Sequence, residues 1–294
     1  MFFRIILLLT TFNQALAAQT APLNDQHNPP VTAITLAPHL TELVYSAGGG
    51  QALVGVSAYS DYPEAVSKKQ IIGDAFHLNL ELIKQLNPDV IFYWPGGTPQ
   101  QTINKLNKMG HHLVAIKTTQ LSDIPEAIDQ IAQTLGTQAV DATHGFVQTI
   151  NQLKTKVKSQ RSALIQISDQ PIYTVDSSHW MSEAIEVCGL KNIFSQLPTA
   201  SAAVNLEAVV LKKPQVLVRI KPLAKDSQLS QWQRIPAIQN QHIAVLDADH
   251  FTRPTLRTLL AIESLCEQVK TFEKSSIQAV LTQQFQVLIV HGFE

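Results

Sequence analysis

NLELIKQLNPDVIF (79–92), set beside NLEAVVLKKPQVLV (205–218), decides how this chain is read. Each segment opens on an asparagine, Asn79 or Asn205, followed by leucine and glutamate. A proline, Pro88 or Pro214, stands nine residues after the asparagine, and a valine, Val90 or Val216, eleven after. The offset between the two is a constant 126. An asparagine ahead of an apolar run supplies a side-chain acceptor for the free N–H groups of a helix start. A proline cannot continue a helix, and the β-branched run beyond it reads as a strand. A helix-then-strand unit therefore occurs once in each half of the chain. Chance recurrence of so short a phrase is the competing reading; the shared cap, turn and strand favour a duplicated architecture.

Outward from these units the pattern continues. Val31–Leu36, Ala52–Ser57, Val90–Trp94 and His112–Ile116 read as strands. Between them lie helices at Thr41–Ala47, capped by Thr41, at Leu80–Leu86, capped by Asn79, and at Ile103–Met109, ended by Gly110. The second half repeats the scheme, with strands at Ala163–Ile167, Val216–Ile220 and Ile243–Leu246 and helices at Met181–Val187 and Leu256–Phe272. Strands alternating with helices at this spacing imply parallel βαβ units. The expected fold is α/β, two Rossmann-like lobes at 31–137 and 161–272, joined by one long helix over 138–160. That helix is read from Phe146, Ile150, Leu153 and Val157, which step by four, three and four along one face. Lysines 154, 156 and 158 load its end, where the helix dipole favours cations. The stretch 273–294 stands apart: SSIQAVLTQQFQVLIVHGFE, after Lys274, is apolar with partial alternation and reads either as an added strand or as a disordered tail.

The first residues set the compartment. Arg4, the apolar run Ile5–Leu9 and the small-x-small Ala15-Leu16-Ala17 form a secretory signal over 1–18, cut near Ala17 or Ala18. The run is far short of the roughly 20 residues that span a bilayer, which disfavours the competing reading as a retained anchor. The polar, proline-rich 19–30 reads as a leader to the first lobe. In an oxidising compartment Cys188 and Cys266 point to one disulfide over two buried thiols. With 22 basic against 23 acidic residues and a net charge of −1, the chain lacks the basic footprint of a nucleic-acid binder.

Enzyme signatures are missing as well. There is no G-x-S-x-G elbow, no P-loop and no G-x-G-x-x-G after a strand. Gly48-Gly49-Gly50 follows a helix, where it is a stop. His111 and His112 begin a strand, so their rings point to opposite faces, and the ten histidines lack the helical spacing of a zinc site. The reading is no catalyst, no metal and no catalytic cofactor. The informative clusters are aromatic. SAYSDYP (57–63), with Tyr59 and Tyr62, follows the second strand, and FYWPGG (92–97), with Trp94, Gly96 and Gly97, ends the third. Asp249, His250, Phe251, Thr252 and Arg253 follow the last strand of the second half. All three lie past carboxyl ends of strands, where open α/β sheets bind ligands. An aromatic wall facing a mixed polar and aromatic one suits a large, flat, amphiphilic ligand; plugging of the sheet ends is the competing role. Glu81 and Glu207 sit in the first turns of the two repeated helices, where the dipole alone favours a carboxylate. As two matched negative points they also suit a two-subunit partner presenting arginines.

ITLAPHLTELVYSAG, VGVSAYSDYP, NLELIKQLNPDVI, YWPGG, EVCGLKNIF and DADHFTRP resemble the periplasmic cobalamin-binding proteins of ABC importers, over about Val31–Phe272. The resemblance implies a corrinoid held between the lobes, with Tyr59 and Trp94 on one side and Asp249 to Arg253 on the other, Tyr173 nearby; Phe76, beside Ala75, is expected to replace a family tryptophan by a shifted contact. It implies a Cys188–Cys266 disulfide and docking of Glu81 and Glu207 on arginines of an inner-membrane permease dimer served by a cytoplasmic ATPase. The expected protein is a periplasmic monomer. Two departures stand out. The family typically carries a tryptophan where Ala75 stands here, and another where Ser201 stands. The alternatives are a haem or ferric-siderophore carrier of the same fold, with Tyr59 or Tyr62 as an iron ligand, and a periplasmic enzyme, for which no nucleophile–base pair is found.

Overall fold

The structure is a computed structural model that describes residues 31–156, 160–221 and 233–291, the side chains of 156 and 275–291 excepted. The export signal and leader fall outside the described residues. In the first half come β1 (Ala33–Thr35), α1 (Pro38–Ser46), β2 (Leu53–Val56), β3 (Gln70–Ile71), α2 (Leu80–Leu86), β4 (Val90–Tyr93), α3 (Gln100–Lys108), β5 (Leu113–Ala115) and α4 (Asp123–Leu135). Then α5 (Ala142–Lys156) leads to β6 (Arg161–Gln166), β7 (Ser168–Asp169), β8 (Ile172–Val175), α6 (Trp180–Val187), β9 (Leu190–Asn192) and β10 (Ser201–Val204). The chain closes with α7 (Leu206–Lys212), β11 (Val216–Ile220), α8 (Pro236–Gln239), β12 (Ile243–Leu246), α9 (Ala248–Phe251) and α10 (Thr258–His291).

The first half forms a five-stranded sheet in the order β3-β2-β1-β4-β5, every pair parallel. The second forms β12-β11-β6-β9, again all parallel. Beside it lies a small antiparallel sheet, β10-β8-β7, that the alternation of strands and helices does not announce. The repeated phrase folds the same way twice. Asn79 Oδ1 accepts from Leu82 N at 3.0 Å and Asn205 Oδ1 from Ala208 N at 2.8 Å. Each seven-residue helix then stops on a left-handed residue, Asn87 (φ 42) and Lys213 (φ 48), just ahead of the proline. Asp89 and Gln215, which follow the prolines, clamp the edge of the neighbouring strand alike. The Asp89 carboxylate accepts from Thr32 N at 2.8 Å and the Gln215 amide oxygen from Ser162 N at 3.0 Å. The register agrees: Ala33 faces Val90 across β1–β4, and Ala163 faces Val216 across β6–β11.

Three expectations differ from the structure. Thr41 does not cap α1: the helix starts three residues earlier, with Pro38 in its first turn, where the missing N–H costs nothing. The Thr41 hydroxyl instead bonds those of Thr35 (2.7 Å) and Ser60 (2.9 Å). The expected joining helix over 138–160 is described as α5 alone, Ala142–Lys156, because 157–159 lie outside the described residues. Its Phe146 and Ile150 are buried and its Leu153 partly so, as the spacing requires. It packs on α4 of the first half and on α6 and α10 of the second. Finally, 273–291 is neither strand nor loose tail but the continuation of α10. Extending a helix that is already nucleated by packing avoids the cost of starting a new element.

One apolar core runs through both halves, from Leu40 and Phe92 through Phe146 and Ile150 to Ile165, Trp180 and Leu265. Burial of this kind contributes about 25 cal/mol per Å² of apolar surface. Polar ties cross the same boundary: Leu121 N donates to Glu183 Oε2 at 2.8 Å, and Lys154 pairs with Glu183 at 3.6 Å. In the second half Cys188 is joined to Cys266, α6 to α10, with Cα atoms 4.8 Å apart.

Candidate functional site

In the first sheet the chain reverses direction of travel between β1 and β4, and the crevice at such a switch point is where open α/β sheets take ligands. A cavity of about 340 Å³ opens there. Its floor is Leu36 to His39, where β1 passes into α1, and its sides are Ser57 to Tyr59, Asp74 to Phe76, and Trp94 with Gly97 and Thr98. The turns after β2, β3 and β4 thus contribute one aromatic residue each.

Each ring is displayed by its local chain. Tyr59 has a left-handed backbone (φ 66), which turns its side chain out; it is 80% exposed. Phe76 is 81% exposed at the tip of a turn closed by Asp74, whose Oδ1 accepts from Phe76 N at 2.8 Å and His77 N at 2.7 Å. Ala75 lies in the same cavity wall beside it. Trp94 is held from two directions. The ring of His39 meets it edge-on, centroids 5.2 Å apart. Below it run Gly96 and Gly97, where a Cβ would come within 2.8 Å and 2.2 Å of the indole. Glycine is needed here for close approach of a ring to the backbone, not for an unusual φ.

His39 is a site residue that sequence reasoning missed. It is buried, its Nε2 has no hydrogen-bond partner, and burial, helped by the positive charge of Arg253, pushes its pKa down to about 3. The imidazole is therefore neutral at any physiological pH. The available signal was its position: one residue past Pro38, where the central strand gives way to α1.

The second wall differs from expectation. Asp247 caps α9, accepting from Asp249 N (3.0 Å) and His250 N (3.3 Å). Asp249 and His250 are partly exposed, and Thr252 is exposed with its hydroxyl on Ala248 O at 2.8 Å. Phe251, expected to line a cleft, is fully buried against Trp180, centroids 5.8 Å apart, because the one-turn helix rotates it into the core. Arg253 is engaged by protein groups: Glu42, Asp61, the Tyr59 carbonyl and Asp249. Burial opposes its charge, but the hydrogen bonds it gives Asp61 and Glu42 prevail and hold its pKa above the ordinary value. Tyr173, on β8 opposite Ala203 and Ser168, is 40% exposed and outside the lining of the 340 Å³ cavity. Ser201 begins β10, exposed. Glu81 and Glu207 are exposed in the first turns of α2 and α7.

Among the described residues no group of three or more His, Cys, Asp or Glu is placed to hold a metal ion. A second cavity, about 610 Å³, lies between α1, Tyr62-Pro63, the start of α5 and the start of α10, with Glu42 and Arg257 in its wall.

Residues 34–250 match the family model described as periplasmic binding protein. A vitamin B12-binding protein of Vibrio vulnificus (strain CMCP6) is 36% identical over 247 residues, 82% of this chain and 90% of that protein. The crystal structure of the periplasmic vitamin B12 binding protein BtuF of Vibrio cholerae superposes with a TM-score of 0.76 at 34% identity, covering 84% of this chain and 99% of that one. The periplasmic heme binding protein HutB of Vibrio cholerae superposes with a TM-score of 0.70 at 21% identity, over 81% and 98% of the two chains; that likeness speaks to the fold alone.

Proposed function

This chain belongs to the periplasmic binding protein family, and from that premise we propose that it captures cobalamin or a related corrinoid and hands it to an inner-membrane ABC importer. The observation that carries this reading is the cavity at the switch point of the first sheet, which presents Tyr59, Phe76 and Trp94 around an apolar floor. A flat macrocycle with an amphiphilic rim is the ligand class that three displayed rings serve, because each ring can bury a large area face-on. No bond is made or broken; the work is burial and release. The lobes are 31–137 and 161–272 with 138–160 between them. The shared core running through both halves supports a largely preformed cleft, which limits the ordering cost of binding. Asp249, His250 and Thr252 form the facing polar wall, with Tyr173 at its edge; Phe251 acts from the core beneath.

The chain is exported, its signal segment 1–18 cut near Ala17 or Ala18, and it works as a monomer. Glu81 and Glu207, one at the same place in each half and both exposed, dock on arginines of the two permease subunits, behind which an ATPase drives uptake. Calorimetric titration with cyanocobalamin tests the site. Trp94→Ala weakens binding by tenfold or more on this reading, about 1.4 kcal/mol or above, and unchanged affinity would remove Trp94 from it. Reversing Glu81 and Glu207 to arginine leaves that affinity intact and abolishes uptake; uptake that persists would end the docking assignment.

A further inference from the structure

Glu42 lies on α1 of the first half, in the buried stretch Leu40-Thr41-Glu42-Leu43-Val44, and is only 3% exposed. A buried carboxylate persists only where donors replace its lost water. Here all of the donors come from the other half of the molecule. Arg253 Nη1 donates to Oε1 at 3.0 Å, Arg257 Nε to Oε2 at 2.9 Å, and Arg257 Nη2 to Oε1 at 2.5 Å. The Arg257 guanidinium also lies 4.2 Å from the centre of the Tyr62 ring. The same Arg253 reaches back to the turn that bears the ligand-facing tyrosine, with Nη1 on Asp61 Oδ1 at 2.5 Å and Nη2 on the carbonyl of Tyr59 at 3.2 Å.

That turn needs outside support. Tyr59 adopts a left-handed conformation that non-glycine residues rarely take, and its ring has almost no cover. Besides Arg253, the turn is held by Ala58 N on Gly73 O (2.7 Å) and by the hydroxyl chain Thr41–Ser60–Ser57 at 2.9 and 3.2 Å. The carboxylate of Glu42, the guanidinium of Arg253 and the Tyr59 carbonyl form a continuous path from the core to the cavity rim.

We propose that Glu42 is a positioning residue for ligand binding: by fixing Arg253, with Arg257 as its second clasp, it holds the Tyr59 turn in the form that meets the ligand. Arg253 then belongs to the site as the support of Tyr59. Hydrogen bonds between ionised groups are short, directional and strong enough to select one turn conformation. When that conformation is only fractionally populated, apparent affinity falls by the same fraction. Removing the Glu42 charge takes away the one carboxylate that Arg253 and Arg257 share, so the two guanidinium groups repel one another and Arg253 keeps only the more exposed carboxylates of Asp61 and Asp249.

The inference rests on the corrinoid reading for its ligand but not for its first test. Hydrogen exchange of the ligand-free protein is compared between the natural chain and Glu42→Gln. Faster exchange at Ala58 and Ser60 with unchanged protection in β4 and β11 supports the proposal; unchanged exchange in the turn overturns it, whatever the ligand proves to be. The second test is a cycle of cyanocobalamin affinities over the natural chain, Glu42→Gln, Tyr59→Ala and the double variant. Glu42→Gln is expected to weaken binding about tenfold, the effect of a turn populated one part in ten, and to cost nothing further once Tyr59 is alanine. Additive losses would show that Glu42 acts by another route and overturn the assignment. Should Glu42→Gln fail to fold, Arg257→Lys, which keeps the charge and loses the two-pronged grip, goes through both tests with the same expected results.

Discussion

Replacing Gly97 by alanine perturbs the proposed site through one methyl group. The new Cβ would stand 2.2 Å from Cε3 and Cζ3 of Trp94. Carbon atoms settle at about 3.5–4.0 Å, so the indole must move by roughly 1.5 Å. The ring cannot deform, and His39 meets it edge-on 5.2 Å away, so displacement carries it away from the position that the ligand face requires. A tryptophan buries about 200 Å² when covered. If half of that lies on the ligand, at about 25 cal/mol per Å² it contributes roughly 2.5 kcal/mol, or a factor of roughly 60 in affinity. Folding should change less than affinity, because Gly97 is exposed and Trp94, although one side packs on the core, is only partly buried. Gly96→Ala, with its Cβ at 2.8 Å from the indole, gives a smaller loss in the same direction. Calorimetric titration with cyanocobalamin and urea unfolding are run on each variant. A Gly97→Ala protein that binds as tightly as the natural chain would take the Trp94 indole out of the ligand contact, and one that loses stability in proportion to affinity would show that the ring is a core element.

His39 titrates at about 3 in the fold against 6.5 in the open chain, so the unfolded state takes up the proton first. Stability is full above pH 6.5 and falls as pH drops toward 3, by at most about 4–5 kcal/mol from this group; urea midpoints across that window should fall less steeply in His39→Phe. His179, pushed down to about 4 by burial, adds a loss of the same sign. Removing the Cys188–Cys266 bridge, which spans a sequence separation of 78, with serine at both positions should cost about 4–5 kcal/mol by the chain-entropy relation, read as a lower urea midpoint at unchanged slope. Gly145→Ala, inside α5 with open space at its Cβ, should stabilise by about 0.5–1 kcal/mol and leave cyanocobalamin affinity alone.

The elements that a linear reading recovers are those with local punctuation. Asn79 and Asn205 announce α2 and α7 by their side chains, the prolines close them, and β4 and β12 read as uninterrupted apolar runs, while β11 is apolar but for Arg219. Pro38 misleads, because a proline suits both the end of a strand and the first turn of a helix; α1 uses it for the second. Pro125 hides α4 in the same manner, although Ile124, Ile128, Ile131 and Leu135 form its buried stripe. The antiparallel strands β7, β8 and β10 are short and lack clear apolar alternation, so only pairing across the sheet defines them. In the site, Tyr59 and Trp94 draw attention in the sequence because each follows a recognisable strand, whereas Phe76 does not: the two-residue β3 ahead of it leaves no pattern, and only the family resemblance points to its neighbourhood. Phe251 misleads: the four-residue helix that buries it is too short to leave a period. The role of Arg253 was not legible at all, since its partner Glu42 is 211 residues away and only the packing of the two halves brings them together.

What the purified chain binds decides between a corrinoid carrier and an iron carrier. Titrated in parallel with cyanocobalamin, hemin and a ferric siderophore, followed by calorimetry and absorbance, it should saturate with one cyanocobalamin per chain, with Trp94→Ala at least tenfold weaker, and take neither iron ligand tightly. A chain that ignores cyanocobalamin and instead binds hemin, with the absorbance of a tyrosine-ligated iron that Tyr59→Phe abolishes, would contradict it.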